Sequence, residues 1–181
     1  TAVDEATAFL AFDNHENDDH SPYIFVTTDF GRTWENRVIG LPKDTFVRVV
    51  RQDPKNPNYL YAGTEFGLYV SGDMGKRWEK FQLNLPIVPI HDLAIKNDDL
   101  IVATHGRSFW VFDDLSVVRG LWGVRQNATA LWSPRDSSPA GFTSPRATST
   151  DGENPKVGGG VNVWYVLPSG AKSIKFSILD K

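Results

Sequence analysis

Two eight-residue stretches of this chain nearly repeat one another: Thr27-Thr28-Asp29-Phe30-Gly31-Arg32-Thr33-Trp34 and Ser71-Gly72-Asp73-Met74-Gly75-Lys76-Arg77-Trp78. Each reads small-x-Asp-x-Gly-x-x-Trp, and Asp29 and Asp73 lie 44 positions apart. A period of roughly 40–50 residues is that of one four-stranded propeller blade. The same step carries Ile24-Phe25-Val26 onto Leu68-Tyr69-Val70, Leu41-Pro42 onto Leu85-Pro86, and the apolar run from Phe46 to Val50 onto Ile90 to Ala94. A third, shorter copy follows, in which Thr64 matches Thr104 and Tyr69-Val70 matches Trp110-Val111. Such a chain is confined to stacked units, because one repeat cannot bury its apolar face alone.

Short aromatic or β-branched runs bounded by Gly, Pro, Asn and Asp predict strands at 7–12, 23–28, 33–38, 46–52, 59–64, 67–71, 77–83, 90–96, 100–104 and 109–113. Helical periodicity is absent, apart from one turn at 114–119. In register, the middle blade is complete, the first lacks its innermost strand and the third lacks its outermost. The expected fold is therefore all-β: a partial β-propeller of about two and a half four-stranded blades over residues 1–119. Closed propellers need at least about four blades. The chain is then either a piece of a larger propeller or a unit that closes with further copies of itself. Residues 120–157, rich in Ser, Pro, Thr and Gly, read as linker or loop. Residues 158–181 read as a β-hairpin, with strands 161–167 and 172–179 around Pro168-Ser169-Gly170. This hairpin either opens a small β-sandwich or supplies the missing fourth strand of the last blade.

Composition removes several function classes. A net charge of −3 gives no basic face for nucleic acid. No apolar run approaches the roughly 18–20 residues of a membrane-spanning helix. The chain has no cysteine, which excludes disulfides and thiolate metal sites.

The repeated turn itself reads as scaffold. Asp29 and Asp73 accept backbone amides two or three residues on, Gly31 and Gly75 supply positive φ, and Trp34 and Trp78 pack back between sheets. Chemistry is expected on the opposite face, where the strand 2–3 loops of each blade emerge. These loops are 13–22, Glu65-Phe66 and His105-Gly106-Arg107, joined by the between-blade residues Lys43-Asp44 and His91-Asp92. The first is the most unusual, with two His, three Asp and one Glu within eight residues. It is either a divalent-cation site from His15, Asp18, Asp19 or His20, or an acidic loop whose side chains cap their own turn. Arg107 beside His105 offers an anion fork, or else pairs with Asp113 or Asp114. Glu65 facing a carboxylate such as Asp18 or Asp19 is the arrangement that glycoside hydrolysis requires. Ligand-binding candidates on this face are His15, Glu65, Asp92, His105 and Arg107. Asn127-Ala128-Thr129 is a glycosylation sequon.

These residues also carry a family resemblance. Asp13-Asn14-His15, Asp18-Asp19, Pro22-Tyr23-Ile24, the first repeated turn, Gly40-Leu41-Pro42, the run from Ala62 to Ser71 and the run from Asn97 to Arg107 together resemble the large secreted bacterial propeller proteins with Asp-box (BNR) repeats. That family is related to the sortilin-type ten-bladed receptor domain and is often labelled glycosyl hydrolase. The resemblance covers residues 5–120 closely and 155–181 more loosely, and it implies the C-terminal blades, a linker and a small β-sandwich. It also implies an extracellular or periplasmic protein. The ligand expected is a glycan or peptide, and no cofactor is expected apart from the divalent cation of the first loop. Sialidases share the Asp box but use an arginine triad, and here only Arg107 lies in a suitable loop. A non-catalytic binding propeller is thus the leading expectation, with a glycosidase and a purely structural scaffold as alternatives.

Overall fold

A computed structural model gives the structure, which describes residues 1, 3–122, 129–134 and 163–177. Its contacts divide the chain into two units, Thr1–Trp122 and Gly123–Lys181.

The first unit is three antiparallel sheets in chain order. β1 (Ala8–Asn14), β2 (Asp19–Thr27) and β3 (Glu35–Asn36) form the first. β4 (Val47–Gln52), β5 (Leu60–Thr64), β6 (Gly67–Ser71) and β7 (Glu79–Lys80) form the second, paired in that order. β8 (Ile90–Lys96), β9 (Asp99–Thr104) and β10 (Phe109–Phe112) form the third. A complete blade thus stands between two three-stranded ones, as the repeat predicts, and the first unit is a partial β-propeller. The one α-helix among the described residues, α1 (Ser116–Leu121), follows β10.

Blades cohere through side chains that alternate across each strand. Ile24, Val26 and Leu41 of the first blade meet Leu60, Ala62, Tyr69 and Trp78 of the middle one in one core. Tyr61, Leu68 and Val70 point the other way, into a second core with Leu93, Leu100 and Val102 of the third blade and with Leu115 and Val118 around α1. Burying an aromatic side chain such as Trp78 is worth on the order of 4 kcal/mol by area.

The outermost strands are shorter than the sequence predicts. Only Glu35–Asn36 and Glu79–Lys80 join their ladders, because the chain then leaves to cross to the next blade. At the first crossing Gly40 has φ +99°, and a Cβ there would lie 2.1 Å from the Trp78 carbonyl oxygen. The first strand 2–3 loop is also tighter than expected, since β1 and β2 continue until Asn14 faces Asp19 across the ladder. Only a 3-10 turn at His15–Asn17 and Asp18, at φ +60°, lie between them.

In the second unit, β11 (Ala130–Leu131) pairs antiparallel with β12 (Tyr165–Val166). The strand expected at 161–167 therefore pairs with residues placed in the linker, and not with 172–179, whose described part carries no ladder. Tyr165 and Phe176 still approach, with ring centroids 5.2 Å apart. Most of the predicted linker, Asn127 of the sequon and Gly158-Gly159-Gly160 lie outside the described residues.

Candidate functional site

The repeated turns are closed by their own residues. Asp29 accepts from the Thr33 amide at 2.9 Å, the Thr33 hydroxyl at 2.7 Å and the Thr27 hydroxyl at 2.8 Å. Asp73 accepts from the Arg77 amide at 3.0 Å and the Ser71 hydroxyl at 2.8 Å. The bonded amide is thus four residues on, not two or three, because the Asp carboxylate spans the whole turn. The small residue two before the Asp bonds the glycine amide, at 2.9 Å for Gly31 and 2.8 Å for Gly75. Both glycines take positive φ, +80° and +81°. The three bonds hold the Asp29 carboxyl down to about 2, the Thr33 hydroxyl contributing most.

The opposite face gathers side chains from all three blades, and bulges aim two of them. On β4 the ladder steps from Val47↔Thr64 to Val49↔Gly63, leaving Arg48 as the extra residue. On β8 it steps from Ile90↔Thr104 to Asp92↔Ala103, leaving His91 in the equivalent place, so that Val47, and not Phe46 as the 44-residue step predicts, matches Ile90. A bulge re-aims one side chain at little cost to the rest of the strand. Here it re-aims Arg48 on one innermost strand and His91 on the next.

Arg48 donates through Nε at 3.0 Å and Nη2 at 2.7 Å to Glu65. Its guanidinium carbon also lies 4.9 Å from the centroid of the buried Phe46 ring, a cation–π contact. His15 stacks on the same ring at 4.8 Å and 13° between planes, and His20 meets it at 5.9 Å. Asp13 Oδ1 lies 2.6 Å from His15 Nδ1 and orients that imidazole. Burial works against the charge of Asp13, but the His15 amide and ring hold its carboxyl below the usual range. His91 and His105 form a second ring pair with centroids 4.8 Å apart. Burial, then Arg48 and His105, push the His91 imidazole below its ordinary 6.5, against the pull of Glu65. Between β1, β4 and β8 runs an open groove of about 380 Å³, lined by Phe9, Leu10, Arg48, Arg51, His91 and Asp92.

The predicted residues sort clearly. His15, His20, Glu65 and His105 contribute to this face. Asp92 lies beside them but is bound to Arg51 at 2.7 Å. Arg107 is exposed and makes no ion pair with Asp113 or Asp114, while its carbonyl accepts the Trp110 indole N–H at 2.9 Å. Asp18 is exposed. Asp19 is consumed by the Ser21 amide at 3.0 Å, the Tyr23 hydroxyl at 2.8 Å and the Asn14 amide group at 3.2 Å. The Ser21 and Tyr23 bonds in particular hold its carboxyl far below the usual range. No group of three His, Cys, Asp or Glu side chains able to hold a metal ion occurs among the described residues. Sequence reasoning passed over Phe46, Arg48 and the pairing of His91. The available signal was a charge in Val47-Arg48-Val49, where strict alternation puts an apolar residue on either side.

No family model and no curated protein matches the sequence. Among solved structures, the chain is similar to an ancestral GH74 enzyme at 20% identity and a TM-score of 0.46, over 57% of this chain and 12% of that one. It is similar to YCF48 bound to D1 peptide at 19% identity and a TM-score of 0.38, over 51% of this chain and 31% of that one. The chain thus spans less than a third of the length of either protein. Likenesses of this size carry neither activity nor ligand across. Sheet order, ladder register and the internal repeat carry the fold: an all-β partial propeller.

Proposed function

We propose that this chain is the ligand-binding segment of a larger secreted propeller protein of the Asp-box repeat type, acting outside the cell or in the periplasm. It recognises a glycan or peptide, without catalysis, on the face of the strand 2–3 loops. The observation that carries this reading is the convergence of Arg48 and His91, both aimed by equivalent bulges, with His15, Glu65 and His105 from three different blades. Phe66 stands half-exposed beside Glu65, an aromatic ring available to a sugar face or a peptide side chain.

The carboxylates favour binding over hydrolysis. A glycosidase needs one carboxyl kept protonated near neutrality. Glu65 is instead bound by the Arg48 guanidinium, and Asp19 is held ionised by three donors. The remaining blades of the parent propeller are the other partners this reading requires.

The test is a screen of the immobilised chain against glycan and peptide arrays, followed by calorimetry on each hit. Arg48→Ala and Phe66→Ala are each expected to weaken binding about tenfold, roughly 1.4 kcal/mol, with the circular dichroism spectrum unchanged. Hits that bind both variants as well as the parent would remove this face from consideration. Release of reducing sugar from a bound glycan would replace the binding reading with the glycosidase.

A further inference from the structure

In the middle blade the bulge residue of the innermost strand is Arg48, and the first residue of the strand 2–3 loop is Glu65. The same two places in the third blade hold His91 and His105. The ladders step alike, from Val47↔Thr64 to Val49↔Gly63 and from Ile90↔Thr104 to Asp92↔Ala103. The loop amides bond back alike, Glu65 to the Phe46 carbonyl at 3.3 Å and His105 to the Pro89 carbonyl at 2.9 Å. The preceding threonine closes each loop alike, Thr64 Oγ1 donating to the Gly67 carbonyl at 2.9 Å and Thr104 Oγ1 to the Ser108 carbonyl at 2.6 Å. With the backbone the same, only the chemistry differs. Arg48 and Glu65 satisfy one another through two hydrogen bonds. His91 and His105 are both exposed, with ring centroids 4.8 Å apart, and neither ring makes a hydrogen bond or ion pair among the described residues. Asp92, next to His91, is taken by Arg51. The charged groups of the middle blade that act on His91 are Arg48 and Glu65, and exposed Arg107 follows His105 by two residues. The middle blade thus carries an acid at this place and the third blade carries none.

We propose that His91 and His105 form an anchoring subsite for the carboxylate of a uronic acid in an acidic glycan, the ligand supplying the acid that Glu65 supplies one blade earlier. The inference rests on the binding reading above and names its ligand. Protonated, the two rings donate charge-assisted hydrogen bonds to a carboxylate between them. Without that anion, each proton is opposed by the neighbouring ring and by Arg48. The backbone here favours a glycan over an acidic peptide. The Thr104, His105 and Phe66 amides are already bonded, to the Ser108 carbonyl, the Pro89 carbonyl and Thr64 Oγ1, whereas an extended peptide is held largely through main-chain hydrogen bonds. Phe66, on the same loop as Glu65, is 49% exposed and offers a ring to a sugar face. A uronic acid brings that apolar face and the carboxylate as one rigid unit. Because the bound carboxylate favours both imidazolium forms, affinity rises as pH falls through the imidazole range, while a uronate stays ionised down to about pH 4.

The test is calorimetry with short oligomers of galacturonate, glucuronate and mannuronate, each as free acid and as methyl ester, at about pH 5.5 and about pH 8, either side of the imidazole range. At least one free acid is expected to bind about tenfold or more tightly at the lower pH, and its ester to lack that gain. His91→Gln and His105→Gln, both at exposed positions, should each remove most of the gain with the circular dichroism spectrum unchanged. Ring-proton NMR of the unaltered chain needs no variant: the oligomer should raise the titration mid-points of both histidines. Equal binding of acid and ester, a pH gain that survives both Gln variants, or no uronate bound at either pH overturns the proposal. A neutral glycan whose binding needs Arg48 but leaves both histidines unmoved also overturns it, while the binding reading stands. An oligoglutamate that binds with this pH profile where every uronate fails overturns it in favour of an acidic peptide.

Discussion

Replacing Arg119 by Met would remove the buried latch that holds α1 against the blades. The Asp53 carboxylate is fully buried, and the Arg119 side chain is only 14% exposed. Arg119 donates to Asp53 through Nε at 2.9 Å and to Asp98 through Nη1 at 2.6 Å. It thereby ties α1 to two loops, one before β5 and one before β9. Without the guanidinium, Asp98 keeps Lys55, but Asp53 Oδ2 keeps only the Tyr61 hydroxyl at 3.2 Å. A buried charge stripped of its partner typically costs about 3–5 kcal/mol. That is a large share of the roughly 5–15 kcal/mol that holds a domain together, so the midpoint of thermal unfolding should fall by roughly 10–20 °C. Urea unfolding followed by tryptophan fluorescence measures the loss, and amide exchange in α1 localises it. Adding Asp53→Asn removes the stranded charge while keeping an acceptor for the Lys55 and Asn56 amides, and should recover more than half of the loss. A single-variant loss below about 1 kcal/mol, the range of a surface pair, or a double variant no better than the single, would refute the latch.

Acid should weaken the fold through Asp19, Asp29 and Asp98, each held below its ordinary value; for Asp98 the Lys55 hydrogen bond contributes most. The depressed folded values place their stabilisation above the unfolded carboxylate range near 4. For Asp29 it is lost as pH falls toward about 2, and carboxyl NMR titration of Asp29 with a mid-point near 4 would contradict this. His91 carries the same sign: its folded value is depressed, so its contribution is present above 6.5 and lost as pH falls below it. Arg48→Met should raise the His91 titration in ring-proton NMR, and an unmoved mid-point would show that Arg48 does not act on it. Phe46→Leu keeps the core filled, so stability should change by less than about 1.5 kcal/mol. It removes the ring that His15, His20 and Arg48 share, so NMR shifts of both histidines should move together, and independent behaviour would break the cluster apart.

What the sequence makes legible is what repeats. Blade number, the missing inner and outer strands and the face bearing the turns all follow from one 44-residue step, because turn chemistry and strand alternation are local. The differences arise where contacts span the chain. Arg48 meets Glu65 17 positions on, and Arg119 meets Asp53 66 positions back, and no local pattern announces either pair. Bulges at Arg48 and His91 depend on how two strands are paired, which alternation within one strand does not contain. Trp34 and Trp78 are identical in motif and opposite in burial, since Trp78 enters the core shared with the first blade and Trp34 does not. Ala130–Leu131 reads as linker because two residues are too few to show a strand period.

The two faces of the stack differ most in how far their polar groups are already satisfied. On the turn face Asp29, Asp73 and Asp53 each accept two to four bonds from their own surroundings. A ligand arriving there would have to displace bonds that close the turns, at about 1 kcal/mol or more apiece. On the opposite face His15, His20, His91, His105 and Arg107 are exposed, and Arg107 makes no ion pair among the described residues. The four histidines are positioned by ring contacts, and His91 also by its bulge, which fix a side chain while leaving a ring nitrogen free. A surface that is ordered yet unsatisfied gains most from a partner, because the entropy of ordering has been met in folding.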